Sequence, residues 1–128
     1  ALREGSTVGR AVECSTTISG LQVANVIDGD AVIAACRASG GTGHTVTDEE
    51  VFSAQRQLAR DEGVFCEPAG AVALAAALRA ARAGELDLHV PIICLITGNG
   101  FKDAQSIAAM NRDTDCPLLS LEELFQDA

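Results

Sequence analysis

Two short stretches carry residue types suited to ligand chemistry. Thr97-Gly98-Asn99-Gly100 follows the most strand-like run of the chain, Val90 to Ile96. In open α/β sheets, ligands bind outside the carboxyl ends of strands. Thr97 supplies a hydroxyl that donates and accepts, and two glycines let a ligand approach the backbone closely. By spacing alone the same residues also make an ordinary tight turn. The second stretch is Glu62-Gly63-Val64-Phe65-Cys66-Glu67-Pro68-Ala69-Gly70. Glu67 precedes a helix opened by Pro68, so its carboxylate either caps that helix or is held beside a cofactor. Other candidates are sparse. Lys102 is the only lysine, and His44 and His89 lie far apart. The five cysteines, Cys14, Cys36, Cys66, Cys94 and Cys116, include no close pair. That spacing gives neither a zinc knuckle nor a disulfide framework. Reduced thiols, mostly buried as small apolar groups, are expected. Neither a metal site nor a Ser/His/Asp arrangement follows from the sequence.

The elements that must position these residues are partly legible. Asp30 to Ser39 reads as a helix with Val32, Ile33 and Cys36 on one face, stopped by Gly40-Gly41. Thr42 to Val46 is a short strand candidate. Thr47 and Glu50 form a capping box for the next helix, with Val46 and Val51 as a hydrophobic staple. Its buried stripe is Val51, Phe52, Ala54, Leu58 and Ala59, with Arg56, Gln57 and Arg60 facing water. Gly63 ends it. Pro68 opens an alanine-rich helix to about Ala83, apolar on every side from Ala69 to Leu78 and so expected to be closely covered. Val90 to Ile96 is an unbroken apolar run typical of a sheet interior. A last helix starts at Ser120, with Glu123 completing a second capping box and Leu119 and Leu124 a second staple. Strands alternating with helices predict α/β architecture with a mostly parallel sheet. Only two or three strands are convincing, fewer than a doubly wound sheet needs. Either strands are hidden in residues 1–27 or the chain is part of a larger domain.

Composition excludes several function classes. The chain has 128 residues, 48% of them hydrophobic and 21% charged, with net charge −9. It contains no Trp or Tyr and only 4 Phe. Nucleic acid and anionic membrane surfaces are therefore poor partners. The longest apolar run, Pro68 to Leu78, falls short of the roughly 20 residues that span a bilayer. Ala1 to Arg10 contains no apolar core of a signal peptide. With the cysteine usage, this predicts a cytoplasmic protein. Asp103 to Ala128 holds Asp103, Asp113, Asp115, Glu122, Glu123 and Asp127 against Arg112, and reads as a solvated acidic tail.

Taken together, Glu62 to Ala71 and, about two dozen residues on, Leu95-Ile96-Thr97-Gly98-Asn99-Gly100-Phe101-Lys102-Asp103 resemble the C-terminal half of threonine synthases. These belong to the pyridoxal-phosphate enzymes of fold type II, with tryptophan synthase β chains and serine/threonine dehydratases. Thr16 to Val23 and Gly40 to Glu50 resemble further stretches of that family, so the likeness runs from about Thr16 to Asp103. Thr-Gly-Asn-Gly followed by Lys-Asp favours threonine synthase over the dehydratases, which carry Ser-Gly-Gly-Asn there.

The resemblance implies part of a three-layer αβα domain with a mostly parallel sheet, incomplete in this chain. Residues 1–128 would be a single C-terminal portion of it, with 104–128 an acidic tail ending in a short helix. It implies a pyridoxal 5'-phosphate cofactor in the complete enzyme, which would convert O-phospho-L-homoserine and water to L-threonine and phosphate. Thr97 matches the hydroxyl residue facing the pyridine nitrogen, and Gly98, Asn99 and Gly100 the loop beside the ring. Glu67 matches a carboxylate near the cofactor, with Val64, Phe65 and Cys66 packed beneath. A neutral hydroxyl does not enforce a protonated ring as an aspartate would. No catalytic residue is expected here. Lys102 resembles the family's Schiff-base triplet in Phe101-Lys102-Asp103, but its place after the Gly-Asn-Gly loop matches a separate Lys-Asp of structural character. The Schiff-base lysine and the glycine-rich phosphate loop would lie upstream, and this chain alone would be inactive. The partners implied are a small amino-acid substrate, the N-terminal half of the same enzyme and, as an option, a second copy in a homodimer. A dehydratase or other β-replacement enzyme is the first alternative, and a non-catalytic module that kept the fold is the second.

Overall fold

A computed structural model describes residues 1–23, 25–115 and 117–125. Cys116, Asp127 and the Leu124 side chain of the second staple lie outside the described residues. Among the described residues five α-helices form: α1 Gly29–Ala38, α2 Asp48–Glu62, α3 Pro68–Arg82, α4 Ala104–Asn111 and α5 Leu121–Leu124. Two 3₁₀ turns, Ser19–Leu21 and Gly100–Lys102, punctuate the chain.

Helix α2 begins where local chemistry requires. The Thr47 hydroxyl accepts from the Glu50 N–H at 3.3 Å, and the Thr47 N–H donates to the Glu50 carboxylate at 2.7 Å. This reciprocal box satisfies two end groups, and three acids in the first turn suit the positive end of the helix dipole. Gly63 closes α2 with a left-handed φ of 66°. Val51, Ala54 and Leu58 then line one face, against Ala71 and Ala75 of α3. Alanine on both sides of the seam lets the helices approach closely. Ile18 and Cys66 complete this core, and Val46 packs on its edge as the staple requires.

Helix α3 is less enclosed than its composition suggests. Ala71, Ala75 and Ala80 are buried, but Val72, Leu74 and Leu78 are only half-buried. Helix α1 is looser still: of its expected apolar face only Ile33 is buried, while Val32 is 61% exposed. Among the described residues Cys66 alone is a buried cysteine; Cys36 and Cys94 are half-buried and Cys14 is exposed. All four are free thiols.

The strand expectations need correcting. Residues 42–46 and 90–96 form no ladder, and no strand is present among the described residues. A strand is defined by hydrogen bonds to a neighbour, and no second strand lies alongside either segment. Ile93 and Leu95 are therefore left 87% and 75% exposed. One isolated antiparallel bridge, between Cys66 and Asn99, is the sole sheet-like pairing among the described residues. Within the acidic C-terminal stretch, residues 104–111 fold as α4, with Ser106 buried.

Asp48 ties residues 16–18 to the start of α2. Its carboxylate accepts from the hydroxyls of Thr16 and Thr17 and from the Thr17 N–H. These bonds, the one from Thr16 first, hold its pKa below the ordinary value of 3.8. A lowered folded value contributes stability above the ordinary one and loses it as pH falls towards the folded one. Unfolding midpoints of wild type and Asp48→Ala should therefore differ at neutral pH and converge below about pH 4. Parallel curves in a pH series of thermal melts would contradict this.

Candidate functional site

The two stretches singled out by sequence are joined side by side. The Glu67 N–H donates to the Gly98 carbonyl at 3.2 Å, and the Gly100 N–H donates to the Phe65 carbonyl at 3.2 Å. Cys66 and Asn99 lie between these bonds as the bridged pair. Phe65 meets Phe101 edge-on, with ring centroids 5.0 Å apart and planes at 78°, a favourable aromatic arrangement. Residues 65–67 and 97–101 thus form one small unit at the start of α3.

The glycines in this unit have specific reasons. Gly98 has a left-handed φ of 68°, and a Cβ there would lie 1.7 Å from Glu67 Oε1 and 2.7 Å from its Cγ. A Cβ on Gly100 would fall 2.6 Å from the Phe65 ring, and one on Gly70 would fall 1.9 Å from the Thr97 carbonyl oxygen. The glycines were expected to admit a ligand. At these positions the groups that approach them are Glu67, Phe65 and the Thr97 main chain.

Glu67 resolves one of the two alternatives left by the sequence. It sits at the N-cap of α3, but its side chain makes no capping hydrogen bond. The carboxylate lies over Gly98, 19% exposed, with Lys102 Nζ at 3.7 Å from Oε1. Asn99 is partly committed within the chain: its side-chain oxygen accepts from the Phe101 N–H at 3.0 Å and caps the 3₁₀ turn. Thr97, Gly98 and Asn99 are exposed, and Gly100 is buried. Thr97 therefore lies on the solvent side of this unit. Beneath it Cys66 is buried, and burial pushes its thiol above the ordinary value. That thiol is a packing group rather than a nucleophile.

Sequence reading missed Gln55. It is 1% exposed, and its amide donates to the Cys66 carbonyl at 2.9 Å and to the Ser106 hydroxyl at 3.3 Å. Its side-chain oxygen is buried without a partner among the described residues. Gln55 thus links α2, the base of the Glu67 segment and α4. The available signal was helical spacing: residue 55 lies four after Val51 and three before Leu58, on the same face. The histidines are remote from this unit. His44 pairs with Glu85 at 3.3 Å, and the His89 N–H donates to Asp87. Among the described residues no group of three or more His, Cys, Asp or Glu could hold a metal, and no helix is long and apolar enough to cross a membrane.

The donor set suits one part of a pyridoxal phosphate molecule. A neutral hydroxyl on an exposed loop can meet a pyridine nitrogen without forcing it to carry a proton. The phosphate is less well suited, since the chain carries a net charge of −9.

Comparison with known proteins identifies the family. The model of the family described as "Pyridoxal-phosphate dependent enzyme" matches residues 1–98, and the chain belongs to that family. The family depends on pyridoxal phosphate, and its architecture is α/β. Similar proteins are threonine synthases. That of Synechocystis sp. is 40% identical over 88 residues, which are 69% of this chain and 22% of that protein. That of Methanocaldococcus jannaschii is 30% identical over 115 residues, 88% of this chain and 28% of that protein. That of Methanosarcina acetivorans is 35% identical over 92 residues, 72% of this chain and 23% of that protein. The chain thus spans about a quarter of the length of these relatives.

Proposed function

We propose that this chain is the C-terminal portion of a threonine synthase, an enzyme that converts O-phospho-L-homoserine and water to L-threonine and phosphate. The observation that carries the reading is the joining of the two motif stretches by the bonds at Glu67 and Gly100, which leaves Thr97 exposed at the edge of the unit. In this reading pyridoxal phosphate supplies an electron sink when bound. Thr97 holds the ring nitrogen through its hydroxyl, while Gly98, Asn99, Gly100 and Glu67 shape the wall beside the ring. The chain carries no covalent chemistry. The bonding lysine and the phosphate donors come from the N-terminal half of the same enzyme, and the isolated chain is inactive.

The same reading accounts for the exposed apolar run at Val90, Ile92, Ile93 and Leu95. In the complete enzyme these residues would pair as an interior strand of a mostly parallel sheet in a three-layer αβα domain, with the neighbouring strands supplied by the N-terminal half. Residues 1–128 are then one C-terminal portion, with 104–128 trailing from it, in a cytoplasmic enzyme that also allows a homodimer.

The test is steady-state kinetics on a polypeptide joining this chain to its upstream portion. Thr97→Ala removes one hydrogen bond to the ring and should lower turnover about tenfold, while Thr97→Ser keeps it. Unchanged kinetics in Thr97→Ala remove Thr97 from the site. Deamination of threonine or serine without threonine formation would identify a dehydratase, and no turnover in the joined polypeptide would favour a non-catalytic module.

A further inference from the structure

Glu67 occupies the N-cap of α3 but leaves the capping bond unmade. Its carboxylate instead fills the space that a side chain on Gly98 would need. A carboxylate only 19% exposed is better placed with a positive group facing it. Lys102 is that group, at 3.7 Å. It stands on the 3₁₀ turn Gly100–Lys102, which the Asn99 side chain caps and whose first residue is bonded to Phe65. The ion pair therefore closes a ring: Glu67 N–H to Gly98, Gly100 N–H to Phe65, and Lys102 back to Glu67.

We propose that Lys102 is a positioning residue for the 97–100 loop, acting through the Glu67 carboxylate to hold Gly98, and with it Thr97, in one geometry. Lys102 itself need touch neither cofactor nor substrate. The consequence for the pyridine ring rests on the reading of Thr97 given above; the consequence for the loop does not.

Amide hydrogen exchange on the polypeptide joining this chain to its upstream portion, followed by NMR at Glu67 and Gly100, reads the loop directly. Lys102 is 65% exposed, so Lys102→Met and Glu67→Gln should each speed exchange at these amides about two- to fivefold, the range of a partly exposed pair. The double variant should show no more than either single change, because both remove the same interaction. Lys102→Arg, which keeps the charge, should remain near wild type. Exchange unchanged in Lys102→Met, or effects that multiply in the double variant, would overturn the proposal. Adding pyridoxal phosphate separates the two readings. Variant-dependent exchange together with a Thr97 amide unmoved by the cofactor would uphold the positioning role and refute the cofactor-facing role of Thr97.

Discussion

Gly98→Ala should collapse the candidate site while sparing the helices. The new Cβ would meet Glu67 Oε1 at 1.7 Å, and its Cδ and Cγ at 2.3 and 2.7 Å. A terminal oxygen can swing away, but displacing all three atoms expels the side chain from its position against Lys102. The backbone adds a second penalty, since φ at Gly98 is 68° and an L-residue there costs about 1 kcal/mol or more. The loop should respond by leaving the left-handed region, which breaks the bond from Glu67 N–H to the Gly98 carbonyl. Helical circular dichroism should stay close to wild type, because the α2–α3 seam is untouched. The amides of Glu67, Asn99 and Gly100 should shift strongly and exchange at least tenfold faster, as for the loss of about 1.4 kcal/mol. Wild-type shifts at these amides would show that the loop does not depend on a bare residue 98.

Gln55→Ala should produce the larger loss of global stability. The change removes a fully buried side chain from the α2 face that carries Val51 and Leu58. It leaves a cavity, and it takes from the Cys66 carbonyl the donor held at 2.9 Å. Large-to-small changes in cores cost about 2–5 kcal/mol, and an orphaned buried acceptor about 1–3 kcal/mol. Since Gln55 Oε1 lacks a partner among the described residues, some of its burial penalty is relieved on removal. The net expectation is about 2–4 kcal/mol in denaturant unfolding. Gln55→Leu, which keeps the volume but drops the amide, should lie between wild type and Gln55→Ala. A Gln55→Ala midpoint equal to wild type would mean that the base of the Glu67 segment is held by other contacts.

These two residues show what sequence could and could not give away. Helices α2 and α3 were legible because their ends are written locally: Thr47 with Glu50, Gly63, and Pro68 each act through neighbours a few residues away. Gln55 was hidden because a polar side chain on a helix face reads as solvent-facing until its partners are known, and those partners are a backbone carbonyl and a serine far along the chain. The strand reading at Val90 to Ile96 identified an apolar segment correctly, but a ladder depends on a neighbour that no residue within the segment specifies. Glu67 remained ambiguous for a related reason. The N-cap position was visible, but whether the carboxylate turns inward to cap or outward over Gly98 is decided by the loop some thirty residues later. Thr97 was legible as a candidate from residue type and setting, whereas its dependence on the bare α3 residue Gly70 was not.

The most direct measurement of the central claim is a titration with pyridoxal phosphate of the ¹⁵N-labelled polypeptide that joins this chain to its upstream portion, freed of cofactor and followed amide by amide. If the chain forms the wall beside the pyridine ring, perturbations should concentrate at Thr97, Gly98, Asn99, Gly100 and Glu67, and Thr97→Val should weaken them. Perturbations centred on other residues, with Thr97 unmoved, would contradict the account.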